Sequence, residues 1–98
     1  MVKHMIIWKL KDDIADKAAH CLKIKEALEA LVGKIDGLLE MHIITEGLPS
    51  STGDLMMDST FSSVEALAAY ATHPLHVAVA DGLVRPAVSS RAAFDYEI

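Results

Sequence analysis

A chain of 98 residues with 52% hydrophobic side chains and a net charge of −5 has room for one hydrophobic core and carries more apolar side chains than so small an interior absorbs. Its longest apolar runs, such as Met5 to Trp8, span only a few residues, where a bilayer crossing needs about 20. Lys9 and Lys11 to Asp13 cut the first stretch short before any signal-peptide pattern develops. The chain therefore reads as a single cytoplasmic domain over residues 1–98. Its nine Lys and Arg are scattered rather than striped, which argues against nucleic acid as a partner. The lone Cys21 cannot form an intramolecular disulfide and reads as a small core or interface residue.

Val2 to Leu10 is rich in Ile, Val and Trp and predicts a first strand. Side chains alternate across a strand, so Val2, His4, Ile6, Trp8 and Leu10 share one face, and Met5 and Ile7 lie on the other. Both faces are apolar and both need a cover. Ile14, Ala18, Cys21, Leu22, Leu28, Leu31, Val32 and Ile35 recur at roughly helical spacing. They predict an amphipathic helix capped near Asp12 or Asp13 and ended by Gly33 or Gly37. Leu38 to Thr45 and Asp54 to Phe61 read as a loose hairpin around Gly47 to Gly53.

Ser62-Ser63-Val64-Glu65 matches a capping box, which starts a second helix running to about Thr72. Pro74 disfavours helical geometry at His73 but suits a first helical turn, so a short helix should run from Pro74 to Val84. Ser89 to Ile98 alternates as a last strand. The order βαββαβ, with right-handed crossovers, predicts an α+β ferredoxin-like fold: a four-stranded antiparallel sheet with helices on one face. The same face of a second copy can cover the other side, which predicts a homodimer joined sheet to sheet.

Met1-Val2-Lys3-His4 with Trp8-Lys9-Leu10-Lys11-Asp12, then His73-Pro74-Leu75-His76-Val77, and finally Phe94-Asp95-Tyr96 together resemble the stress-responsive A/B barrel (Dabb, dimeric α/β barrel) family over nearly the whole chain. The resemblance implies a homodimer whose two sheets close an α/β barrel, with higher oligomers in some plant members. It implies no single activity, because members include plant stress proteins, polyketide cyclases and bacterial proteins without an assigned reaction.

The first strand directs His4 toward the helices beside Ile6 and Trp8, while Tyr70 and His76 flank the break at Pro74. His4, Ile6, Trp8, Tyr70 and His76 are thus the candidate lining of a mainly apolar pocket for a small hydrophobic metabolite. In the family's cyclase members, as the resemblance implies, a first-strand histidine, a tyrosine and the second histidine of His-Pro-x-His work at the site; these positions match His4, Tyr70 and His76. Acid/base catalysis suits them, because histidine titrates near neutrality and tyrosine can donate to a carbonyl oxygen. The match has two gaps. Leu55 stands where cyclases carry a further histidine, and a first-helix tyrosine has no counterpart.

Three functional readings follow: a ligand-binding pocket, a polyketide-cyclase-like lyase using His4 and His76, and an oligomeric stress protein in which the histidines are structural. His73 reads as a helix cap, His20 as part of a solvated helix face, and His42 as open between solvent, pocket and seam. Asp81 and Arg85 are spaced for an ion pair. The spacing suggests neither a metal site, since His73 and His76 lack a third ligand, nor a cofactor, since Gly47 and Gly53 lack the Lys-Ser/Thr of a phosphate loop. Trp8 and the methionines read as core.

Overall fold

The computed structural model describes all 98 residues. The chain forms β1 (Val2–Leu10), α1 (Lys17–Glu29), β2 (Leu38–Ile44), β3 (Leu55–Phe61), α2 (Val64–Thr72), α3 (Pro74–Val79) and β4 (Val88–Glu97), with a π-helical turn, Ala80–Val84, after α3. One four-stranded sheet has the order β2-β3-β1-β4, and every neighbouring pair is antiparallel. This is the ferredoxin-like βαββαβ plan, with all helices on one face.

The alternation in β1 decides that arrangement. Val2, His4, Ile6, Trp8 and Leu10 are all buried, whereas Met5 is half-buried and Ile7 is exposed. Ile24 and Leu28 of α1 pack with Ile6, Trp8, Ile43 and Phe61 in one continuous core. Gly37 is required where β2 begins: its φ is +83, and an added Cβ would come within 2.5 Å of the Ala66 Cβ on α2.

Several boundaries differ from expectation for local reasons. Helix α1 starts after Asp16, not at Asp12 or Asp13, because the Asp16 carboxylate accepts the Ala19 N–H at 3.0 Å. Leu31 and Ile35 are buried but lie beyond the helix, in the turns that lead to β2. Ser63 rather than Ser62 caps α2, accepting the Ala66 N–H at 3.0 Å. Asp54 does not begin β3; its Oδ2 accepts the Leu10 N–H at 2.7 Å, where the β1–β4 register shifts. Helix α3 ends at Val79, and the π-helical turn carries the chain to Val84.

The outer face of the sheet has two distinct rows. Ile44, Met56, Ile7 and Ala92 stand side by side, next to a row containing His42, Asp58, Met5 and Phe94. Ile7, Ile44, Phe94 and Tyr96 are all exposed. Alongside them, the Lys3 ammonium donates to Thr60 Oγ1 at 2.9 Å and lies 2.5 Å from the Asp58 carboxylate. His42 therefore belongs to the outer face, 3.9 Å from Glu40.

Candidate functional site

Helix α1 packs on β2, and α2 on β1, β2 and β3, but no helix covers β4 to a comparable extent. The uncovered strip leaves a cleft of about 560 Å³ between the sheet, α2 and the π-helical turn. Ile6, Trp8, Leu28, Met57, Val84 and Val88 supply its apolar lining. His4, Tyr70 and His76 also line it, so all five residues expected at a pocket share one cleft. The remaining polar groups are Asp95, Arg85 and Arg91.

His4 reaches the site because its strand position turns it inward, where it is 8% exposed. Antiparallel pairing places Asp95 directly opposite, and His4 Nδ1 lies 2.5 Å from Asp95 Oδ1. A carboxylate accepts, so Nδ1 carries the proton and Nε2 is left for another partner. Sequence reading missed Asp95. The available signal was the last strand's alternation, which puts Asp95 on the same face as Arg91, but matching it to His4 requires the register between the chain's two ends.

Two further rings, Phe61 and Tyr70, connect His4 to His76. The His4 and Phe61 centroids are 6.1 Å apart with edge-on geometry, Phe61 and Tyr70 are 4.9 Å apart, and Tyr70 and His76 are 4.1 Å apart. Tyr70 is 2% exposed, and its hydroxyl has no hydrogen-bond partner in the chain. Burial pushes its pKa upward, so the hydroxyl keeps its proton and is available as a donor. An unpaired buried hydroxyl costs about 1–3 kcal/mol.

His76 is positioned by the break at Pro74. His73 Nδ1 accepts the Leu75 N–H at 3.1 Å, the cap that the spacing suggests, and α3 departs in a new direction. His76 Nδ1 then lies 3.2 Å from the Ala71 carbonyl. That carbonyl can only accept, so Nδ1 is the donor and Nε2 keeps its lone pair. Burial lowers the His76 pKa; the Ala71 hydrogen bond opposes this, and the electrostatic influence of Arg85, then His4 and Arg91, adds to the lowering. The neutral imidazole is favoured, as a proton acceptor requires.

His20 is not on a solvated face, as its helix position suggests. Its Nε2 lies 2.9 Å from the Leu83 carbonyl and ties α1 to the π-helical turn that forms one wall of the cleft. Arg85 pairs with Asp81 one turn away. Leu55 is buried opposite Trp8 and does not line the cleft. Cys21 is buried, and desolvation, then the nearby Asp54 charge, raise its pKa against the pull of Lys17. No three His, Cys, Asp or Glu side chains are grouped to hold a metal ion, and no helix is long and apolar enough to cross a membrane.

This combination defines an α+β protein of the ferredoxin-like class with a histidine-bearing apolar cleft on its helical side. Residues 2–98 match the Stress responsive A/B Barrel Domain model, and the chain belongs to that Dabb family. Among solved structures, it is similar to a dimeric ferredoxin-like protein of unknown function from Bacteroides fragilis: identity is 34%, the TM-score is 0.89, and the match covers 99% of this chain and 95% of that one. An Arabidopsis thaliana protein is 24% identical with a TM-score of 0.82, over 100% and 95% of the two chains. The hydroxynitrile lyase of Passiflora edulis is 19% identical with a TM-score of 0.77, over 99% and 92%. Comparison with curated proteins gave no match.

Proposed function

We propose that this chain is a one-domain cytoplasmic homodimer that binds a small, mainly hydrophobic metabolite in the cleft holding His4, Ile6, Trp8, Tyr70 and His76. The observation that carries the reading is a cleft of about 560 Å³ lined by all five of these residues, with the Tyr70 hydroxyl buried and unpartnered at its wall. Purely structural histidines would leave no such cavity between them. The dimer reading rests on exposed Ile7, Ile44 and Phe94 and on the dimeric Bacteroides fragilis relative. A self-complementary patch about a two-fold axis would cover all three.

A second reading, acid/base lyase chemistry, is favoured by the tautomers. His76 Nε2 would remove a proton beside a carbonyl or from a hydroxyl, Tyr70 would donate to the developing oxyanion, and Asp95 would hold the His4 ring. The lyase among the structural neighbours shares the fold and lends this reading only analogy.

The test is a thermal-shift panel of small alcohols, ketones and phenols on the wild type and on Ala68→Phe. Ala68 is exposed and lines the cleft, so the phenyl ring should fill the cleft without disturbing the core. Stabilisation by some panel members that Ala68→Phe abolishes supports the pocket. No shift with any member contradicts it.

A further inference from the structure

The polar groups of the cleft are unevenly distributed. In the antiparallel register His4 faces Asp95, Ile6 faces Ala93, and Trp8 faces Arg91. Asp95 and Arg91 are therefore four residues apart on the helix-facing side of β4, roughly 13 Å at the rise of a strand. Both line the cleft, with the apolar Ile6–Ala93 pair between them. One end holds hydrogen-bonding rings and the other an arginine.

That arginine is free. Arg85 is paired with Asp81 and Asp95 with His4, but Arg91 has no ion pair and no hydrogen bond to another side chain. Arg91 is exposed to solvent, where an unpaired guanidinium by itself would mean little. Here it stands beside Trp8 and Val88 in a cleft of an otherwise acidic protein. Its side of the sheet is the one away from exposed Ile7 and Phe94, so a sheet-to-sheet partner would not cover it.

We infer that Arg91 is the anion-recognising end of the cleft, and that the ligand is an apolar monocarboxylic acid: its carboxylate on the Arg91 fork, its body over Trp8 and Ile6, and its far end toward His4 and Tyr70. The planar guanidinium matches a carboxylate with two parallel N–H···O bonds. One uncommitted cation suits one negative charge. A phosphate dianion would bring a second charge into a cleft whose other arginine is already ion-paired with Asp81 and whose far end holds the Asp95 carboxylate. The inference rests on the ligand-binding reading of the same cleft and adds the class of ligand.

Trp8 is the only tryptophan in the chain and lines the cleft, so its emission reports occupancy directly. Octanoate and octanol are titrated into the wild type, Arg91→Gln and Arg91→Lys, with Trp8 emission and calorimetric heat as readouts. Octanoate should bind the wild type about tenfold more tightly than octanol, a conservative factor for a charge-assisted contact at an exposed arginine. Arg91→Gln should remove that preference by weakening octanoate alone, and Arg91→Lys should restore part of it. Equal affinities in the wild type, or a preference that survives Arg91→Gln, would overturn the inference and leave the pocket standing. If neither probe changes emission or gives heat, the pocket reading falls with it.

Discussion

The two faces of the sheet start from the same alternation in β1 and end in different states. On the helix-facing side, Leu10, Ile24, Ile43 and Phe61 are at most 1% exposed, and the strip beside β4 opens into the cleft. On the outer side, Ile7 is 49% and Phe94 71% exposed, beside the charged Lys3, Asp58 and Glu40. Apolar content alone does not distinguish a finished core from an interface. The covering helices do, and here they are all on one side.

Truncation on each face should separate the two. Phe61→Ala removes a fully buried ring between His4 and Tyr70. It should cost about 3–5 kcal/mol in urea unfolding, since the cavity cannot collapse completely. Phe94→Glu should leave the fold intact by circular dichroism but weaken the proposed dimer at least a hundredfold, or about 2.7 kcal/mol, in sedimentation. A Phe94→Glu chain that stays dimeric would place the seam elsewhere. Ser63→Ala deletes the α2 cap behind the cleft and should cost about 1 kcal/mol.

The smallest effect is pH-dependent. His76 binds its proton less readily when folded than its ordinary value of 6.5 implies. Its contribution to stability is therefore fully present above that value and is lost as pH falls below it, toward the folded pKa. The melting temperature should decline across that acidic window, and His76→Gln should flatten this part of the profile. A decline of equal size in His76→Gln would assign the effect to another group.

Much of this arrangement was legible in the residues. Period-two alternation in Val2 to Leu10 separates the inward His4 and Trp8 from the outward Ile7, and Pro74 marks the break that His73 caps. What local pattern cannot supply is register between distant segments. Asp95 meets His4 only because β4 pairs beside β1, 91 residues away in the chain. His20 reaches the Leu83 carbonyl because a π-helical turn places that group near α1. The start of α1 lies later than expected for a different reason: Asp12 and Asp13 are suitable cap residues by type, but it is the Asp16 side chain that meets the Ala19 N–H.

If association and binding occupy opposite faces of the sheet, one can be removed without the other. The direct measurement is octanoate titration of the Phe94→Glu monomer, read by Trp8 emission. A folded monomer that binds within about threefold of the wild type is the expected result, because His4, Trp8 and Arg91 line the cleft on the helix-facing side of the sheet and Phe94 stands on the other. A folded monomer that no longer binds would contradict it and make the cleft a property of the assembled barrel.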